Sequence, residues 1–466
     1  MMRTSPVLRN KDTLQAPLNR KNNLTGQASD SNDSPFWEPK WETLSREDLE
    51  SLQIRRLKKT VARAAQAPFY KEAFKKQKID PERIRSLDDL RRLPFTTKDD
   101  LRQWYPYGFL TVSKDEVVRM HSSSGTTGRP TVVFYTQRDI EAWANLVARC
   151  MYMTGVRRSD VFQNMMGYGL FTGGLGFHYG AEKLGCLVIP VGPGNTKRQL
   201  FLMREFETTV VHIIPSYALY VAEVCQKEGI DPQNEFKLRI AFIGAEPHSE
   251  GIRARIEDFF GIAAFNSYGL SEVNGPGVAF ECPYKKGMHI WEDAYIVEII
   301  NPETLEPVPE GEEGELVLTT LTREGMPLLR YRTRDLTKFL PGTCPCGRTH
   351  RRIDRITGRT DDMLIVKGVN IYPIQIERVL MSLPEVGNNY LIEVHKQETG
   401  DELLIKVEVK TEVFQEDMRY LEGLRKKIIH EVREEILVTP KVELVEPNSL
   451  PRTQGKAQRV VIVGKQ

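Results

Sequence analysis

Three serines, two threonines, two glycines and one arginine are packed into Ser122–Pro130, between two strand-like runs. Glycine lets a backbone come close to an anion and adopt positive φ. Hydroxyls and backbone N–H groups then supply donors to phosphate oxygens. Ser122, Ser123, Ser124, Gly125, Thr126, Thr127 and Gly128 are therefore candidate phosphate ligands. The Walker spacing G-x-x-x-x-G-K-[ST] is absent, which argues against a P-loop NTPase. Alone, the segment reads equally well as a surface turn.

Five further loops carry candidate chemistry. Gly244, Ala245, Glu246 and Pro247 follow the strand-like run Ile240–Ile243, and ligands in an open parallel sheet gather beyond the carboxyl ends of its strands. Asn266–Glu272 follows another such run and holds Ser267, Tyr268, Gly269 and Ser271. Tyr268 offers a face for a flat ring, and Glu272 a hard carboxylate suited to Mg²⁺. Asp335 stands among three arginines in Leu329–Asp335, as an acceptor for two ribose hydroxyls or as a salt-bridged surface residue. Thr357–Asp362 brings Arg359 within reach of a ribose or phosphate and puts Asp361 and Asp362 where a hinge would lie. Lys456 follows a glycine in the polar stretch Leu450–Arg459. The plain alternatives are turns and solvated charges.

Cys344 and Cys346 form a C-x-C pair, and Cys282 and His289 a C-x₆-H pair. Four such ligands can enclose a structural Zn²⁺, with His350 competing for the fourth place. Reduced surface cysteines are the alternative.

These loops need elements to hold them. The chain of 466 residues is too long for one ordinary core. Its 65 basic and 63 acidic side chains leave a net charge of +2, with no strong field for nucleic acid or anionic lipid. Apolar runs are strand-sized, too short to cross a bilayer, and no apolar signal segment opens the chain. Six cysteines in this length fit a reducing, cytoplasmic setting. Residues 1–34 read as a mobile leader. Helical spacing predicts a helix over 47–66, stopped by Pro68. From about 110 to 300, runs such as Val117–Arg119, Val132–Tyr135, Val188–Val191, Val210–Pro215 and Ile240–Ile243 alternate with helix-like Asp139–Thr154 and Tyr217–Lys227. That alternation predicts a largely parallel α/β sheet. Ala294–Ile300, Gly314–Thr320 and Asp335–Phe339 predict a small barrel or antiparallel sheet. After Gly358 comes an α+β pattern: strands Met363–Val366, Leu391–His395 and Leu403–Lys410, helices Ile371–Met381 and Asp417–Leu437, and Lys441–Val445 as a last strand. The expected division is 35–360 and 361–466.

Taken in order, the loops resemble the adenylate-forming superfamily. Tyr168–Glu182, Ser267–Glu272, Arg330–Asp335 and Gly358–Met363 are similar to its phenylacetate–CoA ligase branch. The likeness runs from about residue 36 to the end. It implies a large N-terminal domain of parallel α/β sheets with a barrel-like part, and a small mobile α+β C-terminal domain. It also implies ATP, Mg²⁺ and coenzyme A: an aryl acid becomes its acyl-adenylate with loss of pyrophosphate, then the acyl-CoA. By resemblance, Ser122–Gly128 close on the β- and γ-phosphates, Gly244–Glu246 and Ser267–Gly269 border the adenine, and Glu272 holds Mg²⁺. Asp335 takes the ribose with Arg359 nearby, and Lys456 bridges carboxylate and α-phosphate. Tyr168, Phe171, Gly173 and Gly174 fall in the aryl pocket, Lys367 and Gly368 at the thiol tunnel, and Asp361 at the hinge. Phenylacetate leads among the acids, ahead of hydroxylated or indolic arylacetates and benzoate-like acids. Loading of a carrier protein is the alternative to free coenzyme A. Partners are then small molecules, with no nucleic acid or membrane; a homodimer is compatible.

Overall fold

Runs of β-branched and aromatic residues bounded by Gly, Pro and Asn make the strands, and several helices begin where Ser45, Thr136, Ser249 or Asp417 caps them. The computed structural model describes residues 34–123, 130–367, 369–396, 401–452 and 457–464. The predicted leader lies almost wholly outside them. Residues 35–466 form one contact unit.

Helix α1 (Arg46–Ala64) is capped by Ser45 and buries Leu49, Leu57 and Val61. A hairpin of β1 (Arg119–Ser122) and β2 (Val132–Tyr135) flanks the Ser/Thr/Gly segment, antiparallel and apart from the main sheet. Next come α2 (Gln137–Met153), β3 (Val161–Asn164), α3 (Thr172–Leu184), β4 (Leu187–Ile189), β5 (Val210–Ile213), α4 (Pro215–Glu228), β6 (Ile240–Gly244), α5 (Glu250–Phe260), β7 (Ala263–Leu270), β8 (Gly275–Glu281) and β9 (Met288–Ile290). The predicted strand Val210–Pro215 ends at Ile213, because Pro215 opens α4, a position where its missing N–H costs nothing.

Then follow β10 (Tyr295–Ile300), β11 (Gly314–Thr320), β12 (Tyr331–Thr337), β13 (Phe339–Leu340), β14 (Arg352–Ile353) and β15 (Gly358–Arg359). The main sheet has nine strands in the order β13-β14-β9-β8-β7-β6-β5-β3-β4. Only β4, β3, β5, β6 and β7 run parallel; the other margin is antiparallel. "Largely parallel" thus holds for half the sheet. β5 and β6 are buried throughout, as strands covered on both faces must be. A four-stranded antiparallel sheet, β10-β11-β12-β15, stands beside it. The predicted strand Asp335–Phe339 is two strands, β12 and β13, in different sheets.

The C-terminal part comprises the hairpin β16 (Leu364–Val366) and β17 (Val369–Ile371), α6 (Pro373–Ser382), β18 (Val386–His395), β19 (Glu402–Val409), α7 (Met418–Ile436), β20 (Lys441–Val445) and β21 (Val460–Val463). Lys441–Val445 is not the last strand: β21 follows it and pairs parallel to β18. Its short, exposed apolar run gives little periodicity to read. The apolar cluster behind α4 and α5 continues without a break into α6, α7 and the small sheet.

Candidate active site

The two turns expected around a nucleotide base are neighbours, because β6 and β7 pair in parallel with Gly244 opposite Ser267. A Cβ on Gly244 would lie 2.5 Å from the Ser267 carbonyl oxygen, so only glycine permits this approach. One residue on, the Tyr268 hydroxyl donates to Asp335 Oδ2 at 2.6 Å. Asp335 comes from β12, and the other Asp335 oxygen accepts from Arg359 Nη1 at 2.7 Å. Arg359 also donates to Asp361, at 2.9 and 3.1 Å.

Burial pushes the Asp335 carboxyl up, opposed by Arg359. Burial likewise lifts the Tyr268 phenol far above its ordinary range, with Asp335 adding to it. The alternative of a salt-bridged surface residue does not hold: Asp335 is buried, and its ion pair is with Arg359 rather than with the arginines beside it. Arg330, at positive φ just before β12, pairs with Glu298, and Arg332 pairs with Glu315, three positions from Asp335 on a strand whose alternate residues face opposite ways.

Glu272 is buried at the end of the Tyr-Gly motif. Its Oε1 accepts from the Thr131 hydroxyl at 3.3 Å and lies 3.5 Å from Lys98 Nζ. Thr131 also donates, through N–H and hydroxyl, to Ser123 Oγ at 3.1 and 2.9 Å. Ser123 is thereby tied to Glu272 across 149 residues of sequence, and Ser271 to Thr172 by a 3.1 Å hydroxyl contact. Ser122 is held by a backbone bond to Leu170. Ser124, Gly125, Thr126, Thr127 and Gly128 lie outside the described residues. So do Gly368 and Lys456.

Two cavities flank Arg359 and Asp361, which line both. One, of about 260 Å³, is lined by Lys98, Arg102, Glu272 and Arg334. The other, of about 410 Å³, is lined by Glu246, Tyr372, Glu377 and Ala457. Glu246 does more than border a ligand space. One oxygen accepts from Ser216 N at 2.7 Å and the other from Ala457 N at 3.1 Å. Ala245 takes positive φ, +67°, at the turn. Lys98, Thr131 and Ser216 were not singled out from the sequence; nothing in their local pattern marks them.

The segment after β3 places Tyr168 in a hydrogen-bonded chain. Its hydroxyl accepts from Asn164 Nδ2 at 2.9 Å and lies 3.2 Å from His178 Nδ1. His178 Nε2 meets Glu182 at 3.1 Å. Phe171 is exposed, at the start of α3. A Cβ on Gly173 would make only an ordinary contact, 3.6 Å from Met166 Cε, whereas one on Gly174 would sit 2.4 Å from the Gly167 carbonyl oxygen. Gly174 is thus demanded by backbone packing. Lys367 is exposed, at positive φ in the β16–β17 turn.

Cys282, His289, Cys344 and Cys346 come together at the antiparallel margin, with all four ligand atoms within 4.8 Å of one another. Cys282 Sγ lies 3.6 Å from Cys344 Sγ, and Cys346 Sγ 3.2 Å from His289 Nε2. His289 Nδ1 faces the His350 carbonyl at 3.3 Å, leaving Nε2 for the cluster. His350 is no competitor. Its Nδ1 accepts from Glu292 N, and its Nε2 faces the Trp41 carbonyl. Hydrogen bonding with Cys282 and the neighbouring His289 lower the Cys346 thiol. Burial opposes charge on His289, but its contacts with Cys344 and Cys346 raise it.

Sequence comparison agrees with this geometry. The family profile of AMP-binding enzymes matches residues 43–321, and that of the AMP-binding enzyme C-terminal domain residues 368–462. The phenylacetate–coenzyme A ligase of Thermus thermophilus is 47% identical, over 92% of this chain and all of that one. The Escherichia coli phenylacetate–coenzyme A ligase is 44% identical, over 90% and 96%. A 2-hydroxyisobutyryl-CoA ligase in its postadenylation state, with 2-HIB-AMP, superposes at a TM-score of 0.88, 32% identity, covering 95% of this chain and 94% of that one. The same enzyme with 2-HIB-AMP and CoA in its thioesterification state gives 0.69, with 94% of each chain covered.

Proposed function

The chain belongs to the AMP-binding enzyme family, beside its phenylacetate–coenzyme A ligases, and from that premise we propose phenylacetate as its acid. The reaction is ATP-dependent formation of an acyl-adenylate, followed by transfer of the acyl group to coenzyme A. The observation that carries the site assignment is Asp335, buried between the Tyr268 hydroxyl and Arg359 beside two cavities.

A carboxylate has about four lone-pair positions, so Asp335 keeps capacity for a ribose diol while holding both protein partners. Gly244 and Ser267, closed against each other, make a flat wall for adenine. Lys98, Arg102 and Arg334 supply positive charge to phosphate oxygens around Glu272. Ser122–Gly128 clamp the departing pyrophosphate. Carboxylate attack on the α-phosphate brings two anions together, and fixed cationic donors lower that barrier; Lys456 is the residue assigned to it. Tyr168, Phe171 and Gly173 receive the aryl ring. Lys367 and Gly368 face the thiol in the second step, after rotation about Asp361, which sets the domain boundary at 360/361.

Glu272, with the Thr131 hydroxyl beside it, offers the hard oxygen donors that Mg²⁺ takes. Bound there, Mg²⁺ would neutralise charge on the triphosphate. The three thiols and one imidazole nitrogen of the cluster fit a tetrahedral Zn²⁺. His289 presents Nε2 while Nδ1–H is fixed by a carbonyl, as metal-bound histidines usually are. Its role is structural, because the loop carrying Cys344 and Cys346 also carries Arg348, which is paired with Glu42.

The test is pyrophosphate release with ATP and Mg²⁺ over a panel of aryl and alkyl acids, repeated with coenzyme A and with a carrier protein. Fastest release with phenylacetate, and thioester formed on free coenzyme A, is the expected result. Release that is equal across alkyl and aryl acids would defeat the assignment of the acid.

A further inference from the structure

Helices α5 and α6 belong to different domains and lie against each other at unusually close range. A Cβ on Gly251 would fall 2.9 Å from Met381 Cβ and 3.0 Å from the Met381 carbonyl oxygen. Ile252 and Ile256 of α5 share one apolar cluster with Ile376 and Leu380 of α6. The polar contacts across this seam are reciprocal. Glu377, from α6, is buried, and its Oε1 accepts from the Ser249 N–H at 2.7 Å. Ser249 is the N-cap of α5, so the carboxylate sits at the positive end of that helix. The other Glu377 oxygen accepts from the Tyr390 hydroxyl of β18 at 2.8 Å.

In the opposite sense, Arg255 of α5 reaches the carboxyl end of α6. It donates to the carbonyls of Met381 and Leu383 at 3.3 and 3.2 Å, and to Gly387 O and Asn388 Oδ1 at 2.7 and 3.1 Å. Arg255 has no ion pair among the described residues, so its charge is met by the negative end of a helix in the other domain. Each helix thus supplies the charge that the other helix's end requires. Both contacts join the stretch matched by the AMP-binding enzyme profile to the stretch matched by its C-terminal-domain profile.

We propose that Glu377 and Arg255 form a latch that holds the small domain in the arrangement for adenylate formation and must open for the thioester step. The proposal rests on the ligase reading above. Both are assigned as positioning residues: Arg255 lines neither cavity beside Asp335, and both Glu377 oxygens are engaged by the Ser249 N–H and the Tyr390 hydroxyl. Their effect is on how the two domain arrangements are populated, and coupling of this kind typically spans about 5–150-fold. The nearness to the postadenylation structure rather than the thioesterification one places the latch in the first arrangement.

The experiment measures both half-reactions in Arg255→Ala and Glu377→Gln. One readout is single-turnover pyrophosphate release from phenylacetate and ATP. The other is thioester formation from synthetic phenylacetyl-adenylate and coenzyme A. Hydrogen exchange of residues 373–388 is followed in the same proteins without ligand. Pyrophosphate release should fall about 10-fold, within that coupling range, with thioester formation unchanged or faster, and exchange at 373–388 accelerated. Arg255→Lys should recover only part of the loss, because an ammonium cannot serve four acceptors as a guanidinium does. Equal loss in both half-reactions, or unaltered exchange, would overturn the latch. Should Arg255→Ala not fold, Glu377→Gln, which keeps side-chain volume, decides by the same criteria. A wild-type protein that releases no pyrophosphate with any acid would overturn the ligase reading and the latch's part in it; failure there, not in the variants, tells the two apart.

Discussion

The proposed nucleotide cleft and the Cys/His cluster draw on the same stretch of the main sheet but treat their polar groups in opposite ways. Tyr268, on β7, faces Asp335 in the cleft. Cys282, after β8, and His289, on β9, belong to the cluster. The cluster's ligand atoms are satisfied by one another. The cleft's groups are shared between strands of two sheets and end at Arg359, which is bonded to the exposed Asp361. A self-contained set of ligands suits a part that must not move. A chain of contacts that ends at the proposed hinge suits one that must. Changes in the cleft should therefore act on rate, and changes in the cluster on stability.

The sharpest test of that contrast is Asp335→Asn. Losing a preorganised contact to the nucleotide should lower kcat/KM for ATP by about 10²–10³-fold, read by pyrophosphate release, with a smaller effect on melting than any cluster variant. A melting loss equal to the cluster's would erase the distinction. Cys344→Ser should do the reverse. Zinc measured by atomic absorption should fall from near one per chain, and unfolding should become easier by about 4 kcal/mol, the contribution of a ligand at a thousandfold excess over its Kd. The folded fraction should keep near-normal kcat. Protein purified without zinc would remove the metal from this account.

Gly174→Ala tests whether the acid segment is shaped by packing. Its Cβ would meet the Gly167 carbonyl at 2.4 Å, so a loss of about 1–3 kcal/mol in urea unfolding is expected. Unchanged stability would return Gly174 to a purely substrate-facing role. The smallest effect belongs to Lys98→Met. The lysine is partly exposed and 3.5 Å from Glu272, so its contribution to stability should stay below about 1 kcal/mol. The KM for ATP should rise all the same, and an unaltered KM would exclude Lys98 from the phosphate site.

Much of this was legible because it is local. The helix expected over 47–66 appears as Arg46–Ala64, since its apolar residues keep helical spacing along a single segment. β2, β10 and β11 appear at the expected residues for the same kind of reason: alternating or continuous apolar runs end at turn residues. Helix α5 is harder to read, although Ser249, Ile252, Ile256 and Phe260 mark it, because its exposed face is strongly charged. The predicted strand Val117–Arg119 lies instead at Arg119–Ser122, where pairing with β2 rather than propensity sets the ends.

By itself the sequence determined which loops concentrate hydroxyl, carboxylate and thiol side chains, because residue type and turn chemistry are properties of a few neighbouring residues. It also determined that the chain divides into a large α/β part and a smaller α+β part, because the periodicity changes after Gly358. Only the tertiary structure decided that Asp335 answers to Arg359 and Tyr268 rather than to the arginines beside it. The same is true of the choice of His289 over His350, and of the pairing of α5 with α6 through Gly251. Those choices depend on burial and on which distant donor arrives within about 3 Å, and neither is written in local spacing.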